Sequence, residues 1–281
     1  MLPFNKNHIE EFIAKLFLLL SVVITIGFLF AIIFHILERG IGVMDWEFLT
    51  SYPIDMGRGG GIFPSIVGTF YLIAVSLVFA APIGILSAIH LTEYTNKGRI
   101  VKIVRFATET LAGIPSIIFG LFGFSFLVIF LGFRWSILSG GLTLAIMILP
   151  TIIRTTEESI KSVPQILREG SLALGATRWQ TVYKIVIPSA LPGIITGIIL
   201  GIGRAIGETA AVLLTAGSSL NLPTSIMDPA RSLTIHLYTL ASEGISFDNA
   251  YGTATVLIIL IFIINLTANF LMNRMTFKSK T

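Results

Sequence analysis

Six long stretches almost free of charged side chains constrain the fold more than any other feature of this sequence. A helix needs about 20 apolar residues to cross about 30 Å of hydrocarbon. The stretches of that length cover residues 16–37, 59–91, 110–133, 135–153, 185–203 continuing through a charged pair to 216, and 249–273. Only 12% of the residues are charged, whereas soluble proteins have about 25%. Barrel-type alternation is absent, so we predict an all-α polytopic membrane protein with six transmembrane helices.

The residue inventory argues against several classes of enzyme. The chain has no cysteine, which excludes disulfides, thiolate metal sites and cysteine nucleophiles. No Gly-x-x-x-x-Gly-Lys-Ser/Thr phosphate loop is present, so we do not expect this chain to hydrolyse ATP. The histidines fall in four separate segments, at His8, His35, His90 and His236, and predict no metal site. We therefore expect neither cofactor nor metal.

The distribution of basic residues predicts the orientation. Cytoplasmic segments of membrane proteins retain Lys and Arg. With the N-terminus inside, the outer segments hold only Arg39, Arg58, Arg134 and Arg231, and Arg204 lies within a span. The other basic residues of the 19 fall in inner segments. We predict that both termini are cytoplasmic and that the first span persists as a membrane anchor.

The inner segment 154–188 differs from the other loops because it carries helix signals. Ser162-x-x-Gln165 and Thr177-x-x-Gln180 both have the form of a capping box. Gly175 lies where a glycine can end the first helix in the left-handed region. We predict a helix, a glycine turn and a second helix that continues into the fifth span.

Arg204 and Glu208 are the only charged residues deep within a predicted span. A charge at such depth costs about 2.5–3.5 kcal/mol on insertion scales. Residues four apart share one helix face, so the two side chains can pair. One interpretation is an ion pair that locks helices together. The other, which we favour, is a pathway site where Arg204 binds an oxyanion and Glu208 orients it.

Glycine spacing on the fifth span indicates close helix packing. Gly193, Gly197 and Gly201 recur every four residues, and Gly203 with Gly207 repeats the spacing on a neighbouring stripe. Such stripes let another helix backbone approach. The third span contains a different irregularity at 113–116, Gly-Ile-Pro-Ser, which either frees backbone carbonyls or merely bends the helix.

A motif in the inner segment resembles a known family. Its fixed positions are Glu169, Gly170, Ser171, Gly175, Ile185, Ile187 and Pro188. They resemble the EAA loop of bacterial binding-protein-dependent ABC importer permeases, commonly Glu-Ala-Ala-x3-Gly-x9-Ile-x-Leu-Pro. The departures are Gly170 and Ser171 for the alanines and Ile187 for leucine. The resemblance implies a type I ABC importer permease fold, with Glu169, Gly170, Ser171, Gly175 and Pro188 coupling it to a separate ATPase.

Four further segments resemble the PstA family of phosphate-importer permeases. They are residues 59–69, 112–123, 203–210 and 228–231. The sister PstC family shares the Pro-Ser and Arg-x-x-Gly-Glu-Thr motifs, whereas Gly-Gly-Ile-Phe-Pro and Asp-Pro-Ala-Arg favour PstA. The resemblance implies inorganic phosphate as substrate and a pathway that includes Arg204, Glu208 and Ser116.

The same resemblance implies four partners and a location. They are a PstC-like second permease, a PstB-like ATPase dimer at the cytoplasmic face, a PstS-like external phosphate-binding protein and the lipid of the cytoplasmic membrane. We divide the chain into residues 1–60, a permease domain at 61–272 with a coupling loop at 157–188, and a cytoplasmic tail at 273–281. The alternatives are a permease for another oxyanion such as sulfate or molybdate, a secondary transporter, or a membrane scaffold. Against a secondary transporter stands the lack of matched broken helices in an inverted repeat.

Overall fold

The structure, a computed structural model, describes residues 6–95 and 98–278. Lys97 and residues 279–281, which belong to the predicted inner segments, lie outside the described residues, as do residues 1–5. The helices are α1 Lys6–Gly40, α2 Trp46–Thr50, α3 Phe63–Ile89, α4 Arg99–Gly113, α5 Ser116–Gly123, α6 Ile137–Ser162, α7 Gln165–Ala173, α8 Arg178–Thr181, α9 Ile187–Ile206, α10 Ala210–Thr215, α11 Leu233–Ser242 and α12 Phe247–Lys278.

Short irregular elements complete the architecture. Wider π-helical turns at His90–Tyr94 and Phe124–Phe130 extend α3 and α5, and Val182–Val186 joins α8 to α9. Two-residue strands, β1 Pro53–Ile54 and β2 Gly59–Gly60, form an antiparallel hairpin in which Pro53 pairs with Gly60. A 3₁₀ turn, Asp55–Gly57, connects the two strands.

Five helical segments of the described chain are long and apolar enough to cross a membrane. They are Glu10–Gly40, Phe63–Tyr94, Ile137–Ser162, Arg178–Ile206 and Phe247–Phe270. One bent pair of helices, Val101–Gly113 with Ser116–Phe130, could form a further span. The prediction of six spans holds only if this pair also crosses the membrane. Helix α12 continues as far as Lys278, so helical structure extends beyond the predicted end of the last span at residue 273.

The third predicted span is not one straight helix. Val101–Gly113 and Ser116–Phe130 meet at an angle of 105°. Ile114 is extended, with φ −74° and ψ 133°, because a proline disfavours helical geometry at the residue before it. The irregularity at 113–116 is therefore a sharp break between two helices.

Helix α6 lies at the centre of the fold. In its most apolar window 67% of the residues are buried, against none in α1. The glycines of α9 face α6: an added Cβ at Gly193 would overlap Ser159, one at Gly197 would overlap Thr155, and Gly201 faces Ile152. The prediction of a packed glycine stripe is confirmed for these three positions.

The end of α9 differs from the prediction of one continuous span to residue 216. Helix α9 ends at Ile206, and α10 begins at Ala210. Helix α10 packs alongside α5, where a Cβ on Gly120 would lie 2.8 Å from Ala211 Cα and one on Gly123 would lie 2.8 Å from Thr215 Cγ2. Because both sequence numbers increase together along this contact, the two helices run parallel.

Candidate functional site

The inner segment folds into a helical hairpin, α7 followed by α8. The capping box predicted at Thr177 and Gln180 is confirmed, with both reciprocal hydrogen bonds present. The box predicted at Ser162 and Gln165 was wrong. Helix α6 extends through Ser162, whose hydroxyl donates to the Ser159 carbonyl, and α7 begins at Gln165 without a side-chain cap.

Gly175 forms the turn of this hairpin in the predicted left-handed conformation. Its φ is +83°, and no atom lies within 4 Å of a Cβ added there. The constraint is therefore the backbone conformation, which side chains other than glycine adopt at a cost. Ser171 closes the hairpin, because its buried hydroxyl lies 2.9 Å from that of Thr181.

Three of the remaining motif positions are exposed, and Ile185 and Ile187 are half-buried. Glu169 and Gly170 are exposed, and Pro188 is exposed in the first turn of α9. Large apolar side chains are exposed beside them, including Ile166 at 74% and Leu174 at 91%. An apolar surface of this kind is typical of a site that another protein covers.

A buried ion pair, which the sequence did not predict, fixes the hairpin to the end of the second span. Arg168 donates to one carboxylate oxygen of Glu93 from Nη2 at 3.0 Å and from Nε at 3.2 Å. It also donates to the carbonyls of Val163 and Ile160. Both side chains are nearly buried, at 13% and 11% exposed. A charge of each sign at the end of a span was the available signal, but their 75-residue separation concealed the contact.

Arg204 and Glu208 do not share one helix face. Arg204 lies in the last turn of α9, whereas Glu208 follows the end of that helix. Among the described residues no hydrogen bond or ion pair joins the two side chains. Arg204 is half-buried, and neighbouring Gly203 faces open space. The second predicted glycine stripe, Gly203 and Gly207, therefore packs against no other element within the described chain.

Glu208 contacts the start of α10. Its carboxylate accepts a hydrogen bond from the Ala211 N–H at 3.3 Å, and its carbonyl accepts one from the Thr234 hydroxyl at 2.8 Å. A carboxylate is favoured at the positive N-terminal end of a helix. Glu208 thus holds the break between α9 and α10 rather than pairing with Arg204.

Ser116 begins a different helix. It is the first residue of α5, directly after Pro115, and its side chain is half-buried. Helix α5 meets α10 at Gly120, which faces Ala211. Among the described residues no hydrogen bond joins Ser116 to Arg204 or Glu208.

Comparisons with known proteins agree with this architecture. Residues 80–279 match the family described as binding-protein-dependent transport system inner membrane component. The chain is 33% identical to the probable ABC transporter permease protein YqgI of Bacillus subtilis, over 95% of this chain and 96% of that protein. It is 34% identical to the phosphate transport system permease protein PstA 1 of Mycobacterium tuberculosis, over 94% of this chain and 88% of that protein.

A solved structure gives the fold. A chain of a bacterial alginate ABC transporter, crystallised in complex with a periplasmic protein bound to an alginate pentasaccharide, superposes with a TM-score of 0.72. The match covers 97% of this chain and 98% of that one at 18% identity. The type I ABC importer permease fold is therefore confirmed, and the chain is a multi-pass membrane protein. It belongs to the family of binding-protein-dependent transport system inner membrane components.

Proposed function

We propose that this chain is one permease subunit of an ATP-driven importer that moves inorganic phosphate across the cytoplasmic membrane. The observation that carries the proposal is Arg204 in the last turn of α9. It is half-buried and has no ion-pair partner among the described residues. The PstA relatives, named as phosphate transport permeases, support phosphate as the substrate.

The chemistry of phosphate fits this site. Phosphate carries between one and two negative charges at neutral pH, and in a passage poor in water it needs a counter-charge that binds and releases it. The guanidinium of arginine stays protonated and offers a fork of donors to an oxyanion. Ser116 supplies a hydroxyl and lies at the positive end of α5, which also favours an anion.

The surface beside Arg204 supports a second permease subunit as partner. Gly203 and Gly207 are exposed and carry no side chain, so another helix can approach closely there. A PstC-like subunit on this flank would complete a pathway around Arg204. In this arrangement the chain forms one half of a heterodimeric pore.

The coupling hairpin supports a separate ATPase as the energy source. Its exposed apolar residues are the proposed contact with a PstB-like dimer, and Glu169 supplies a charge beside them. The helical path from Arg178 to Ile206 is uninterrupted over 29 residues, which corresponds to about 40 Å. Movement of the hairpin would therefore be transmitted along a continuous helix to the turn that carries Arg204.

The external segments form a joint surface that suits a PstS-like binding protein. Arg58 donates from Nε to the Ile245 carbonyl at 3.3 Å, and Asn249 donates to the carbonyls of Gly57 and Arg58. Segments 38–64 and 217–248 together carry more carboxylates than arginines, which favours a basic rim on the partner. With segments 38–64 and 217–248 on the external side, both termini are cytoplasmic. Crosslinkers at Asp45 and Asp248 that never capture the receptor during turnover would contradict this contact.

The decisive experiment reconstitutes the chain with its second permease and its ATPase in liposomes. We expect uptake of radiolabelled phosphate that requires ATP and the external binding protein, with no competition from excess sulfate or molybdate. Omitting the binding protein or ATP is the matched control. ATP-driven uptake of sulfate or molybdate in place of phosphate would show that another oxyanion is the substrate. Uptake driven by an ion gradient without ATP would show that the chain is not part of an ATP-driven importer.

A further inference from the structure

The outer side of the molecule contains a second arginine that forms no ion pair within the described residues. Arg231, which precedes α11, is only 8% exposed. Its side chain donates to Ser218, from Nε to the hydroxyl at 2.9 Å and from Nη2 to the carbonyl at 3.1 Å. Its Nη1 lies 3.4 Å from Nδ1 of His236. These partners are uncharged groups.

His236 acts as an acceptor in this cluster. Burial, followed by the charge of Arg231, lowers the pKa of His236 to about 4, so the imidazole is neutral at neutral pH. Its Nδ1 therefore accepts from Arg231, and its proton lies on Nε2. That Nε2 is buried without a hydrogen-bond partner in the described chain. The histidine thus leaves the positive charge of the arginine intact.

Arg231 has donors left over, and a cavity adjoins it. A guanidinium has five N–H groups, of which the contacts with Ser218 and His236 use three. One N–H therefore remains on each terminal nitrogen without a partner in the described chain, and either can donate to an oxyanion. Arg231 lines a cavity of about 580 Å³ together with Ser218, Asn221, Tyr238, Thr239 and Glu243. Glu243 forms no ion pair with Arg231.

A second cavity shares one lining residue, Tyr238, with the first. It measures about 600 Å³ and is lined by Gly207, Thr209 and Thr234, among others. Gly207 directly follows the end of α9, the helix that carries Arg204 in its last turn, so the second cavity borders that turn.

We propose that the cavity beside Arg231 is an outer binding station for a tetrahedral oxyanion, which the substrate occupies before it reaches Arg204. This rests on the proposed function for the identity of the anion. Glu243, which also lines the cavity, stabilises the charge of Arg231 only from beyond ion-pair distance, so an entering anion can still bind the guanidinium directly. Two stations in series also prevent either one from holding the substrate too tightly.

The cysteine-free chain allows a direct test. Asn221→Cys places a thiol on the cavity wall, and Thr50→Cys, at the exposed last residue of α2, is the matched control. The assembled transporter, with any partner cysteines replaced and no binding protein present, is treated with an anionic or a cationic methanethiosulfonate at low salt. We expect the anionic reagent to modify Asn221→Cys about tenfold faster relative to the control, because a local charge concentrates counter-ions. Inorganic phosphate should slow that modification, whereas chloride at equal ionic strength should not.

Substitutions of Arg231 decide whether this residue causes the preference for the anionic reagent and the protection by phosphate. Arg231→Gln should remove both the preference and the protection by phosphate, whereas Arg231→Lys should keep the preference and lose most of the protection. The lysine variant still decides the question if Arg231→Gln does not assemble. Equal rates at Asn221→Cys and Thr50→Cys, or phosphate protection that survives Arg231→Lys unchanged, would overturn the outer station.

The Arg204→Gln background separates this inference from the proposed function. We expect phosphate still to protect Asn221→Cys there, although uptake is lost. If phosphate protects Asn221→Cys from the reagent but the unmodified transporter takes up no phosphate, the oxyanion site stands and phosphate is rejected as the cargo. Uptake without protection would reject the site and keep the function.

Discussion

Two arginines, Arg168 in the coupling hairpin and Arg204 near the end of the helical path from Arg178 to Ile206, differ in how their charges are paired. Arg168, in the coupling hairpin, is nearly buried and donates to the Glu93 carboxylate and to two carbonyls. Arg204, in the last turn of α9, is half-buried and pairs with no carboxylate among the described residues. The charge of Arg168 is paired within the chain, whereas that of Arg204 has no carboxylate partner among the described residues.

We expect this difference to separate a structural role for Arg168 from the proposed transport role of Arg204. A buried charge with its full set of partners holds elements in place, and removing one partner is costly. A charge at membrane depth without a partner lowers stability, so its retention points to a ligand. Glu208, the expected partner of Arg204, instead caps α10. The comparison therefore predicts loss of transport at one arginine and loss of assembly at the other.

The largest expected effect is at Arg204. Arg204→Gln should abolish phosphate uptake while the subunit still inserts and assembles, because the substituted side chain leaves no broken ion pair inside the chain. Arg204→Lys, which keeps the charge but loses the fork, should retain a small fraction of the uptake. The measurement is uptake in proteoliposomes, alongside membrane abundance and recovery of the partner subunits. Normal uptake by Arg204→Gln would leave Arg204 as scaffolding.

The double variant tests the ion-pair interpretation directly. If Arg204 and Glu208 were a locking pair, replacing both with glutamine would remove both charges and restore function. We expect no rescue, because the two side chains do not pair. Glu208→Gln alone should destabilise the start of α10 by only about 0.3–1 kcal/mol, because glutamine keeps an acceptor oxygen for the Ala211 N–H and loses only the charge at the helix N-terminus. Rescue of uptake in the double variant would reject the pathway role.

The second effect concerns the buried pair. Arg168→Gln or Glu93→Gln should destabilise the hairpin by about 3–5 kcal/mol, because each leaves the other charge buried alone. The double replacement should lose less, since no unpaired charge remains. Retention of the ATPase during purification and protease resistance of residues 162–188 report the change. Arg154→Gln, which breaks the exposed pair between Arg154 and Glu158, is the control and should have little effect.

The local features were the ones that the sequence predicted well. Length and hydropathy identified the spans, and the second capping box together with Gly175 defined the hairpin turn, because each depends on neighbouring residues. The contact between Glu93 and Arg168 spans 75 positions and has no local signal. Similarly, i and i+4 spacing predicted a shared face at Arg204 and Glu208, but that rule requires an unbroken helix.

Breaks within the spans were the hardest features to place. The proline at 115 marked one of them, but only the tertiary packing gives the 105° bend. The break after Ile206 lacks a proline altogether. It is held by contacts of Glu208 with Ala211 and Thr234, which no sequence pattern reveals.

The third effect tests the hairpin turn. Gly175→Val should cost about 1–3 kcal/mol, because a branched side chain must adopt a left-handed conformation. The second helix would then be misdirected, and the ATPase would couple poorly. Gly170→Ala is the matched comparison, since it fills open space within α7 and introduces a better helix former. Glu169→Lys should also weaken ATPase binding. Normal ATPase recovery and transport in both Gly175→Val and Glu169→Lys would contradict the coupling role.

The smallest effect distinguishes the two glycine stripes of α9. Gly193→Ala should destabilise the chain by about 1–3 kcal/mol, because the added Cβ overlaps Ser159 and overpacks the contact with α6. Gly203→Ala meets no atom within 4 Å and should stabilise the helix by about 0.5–1 kcal/mol. The larger Gly203→Leu should leave the fold intact yet reduce recovery of the second permease, because that flank is the proposed subunit contact. Thermal stability of this chain and co-purification of its partner measure the two effects separately. Full recovery of the second permease with Gly203→Leu would mean that the Gly203 flank faces lipid, and the pathway beside Arg204 would then have to lie elsewhere.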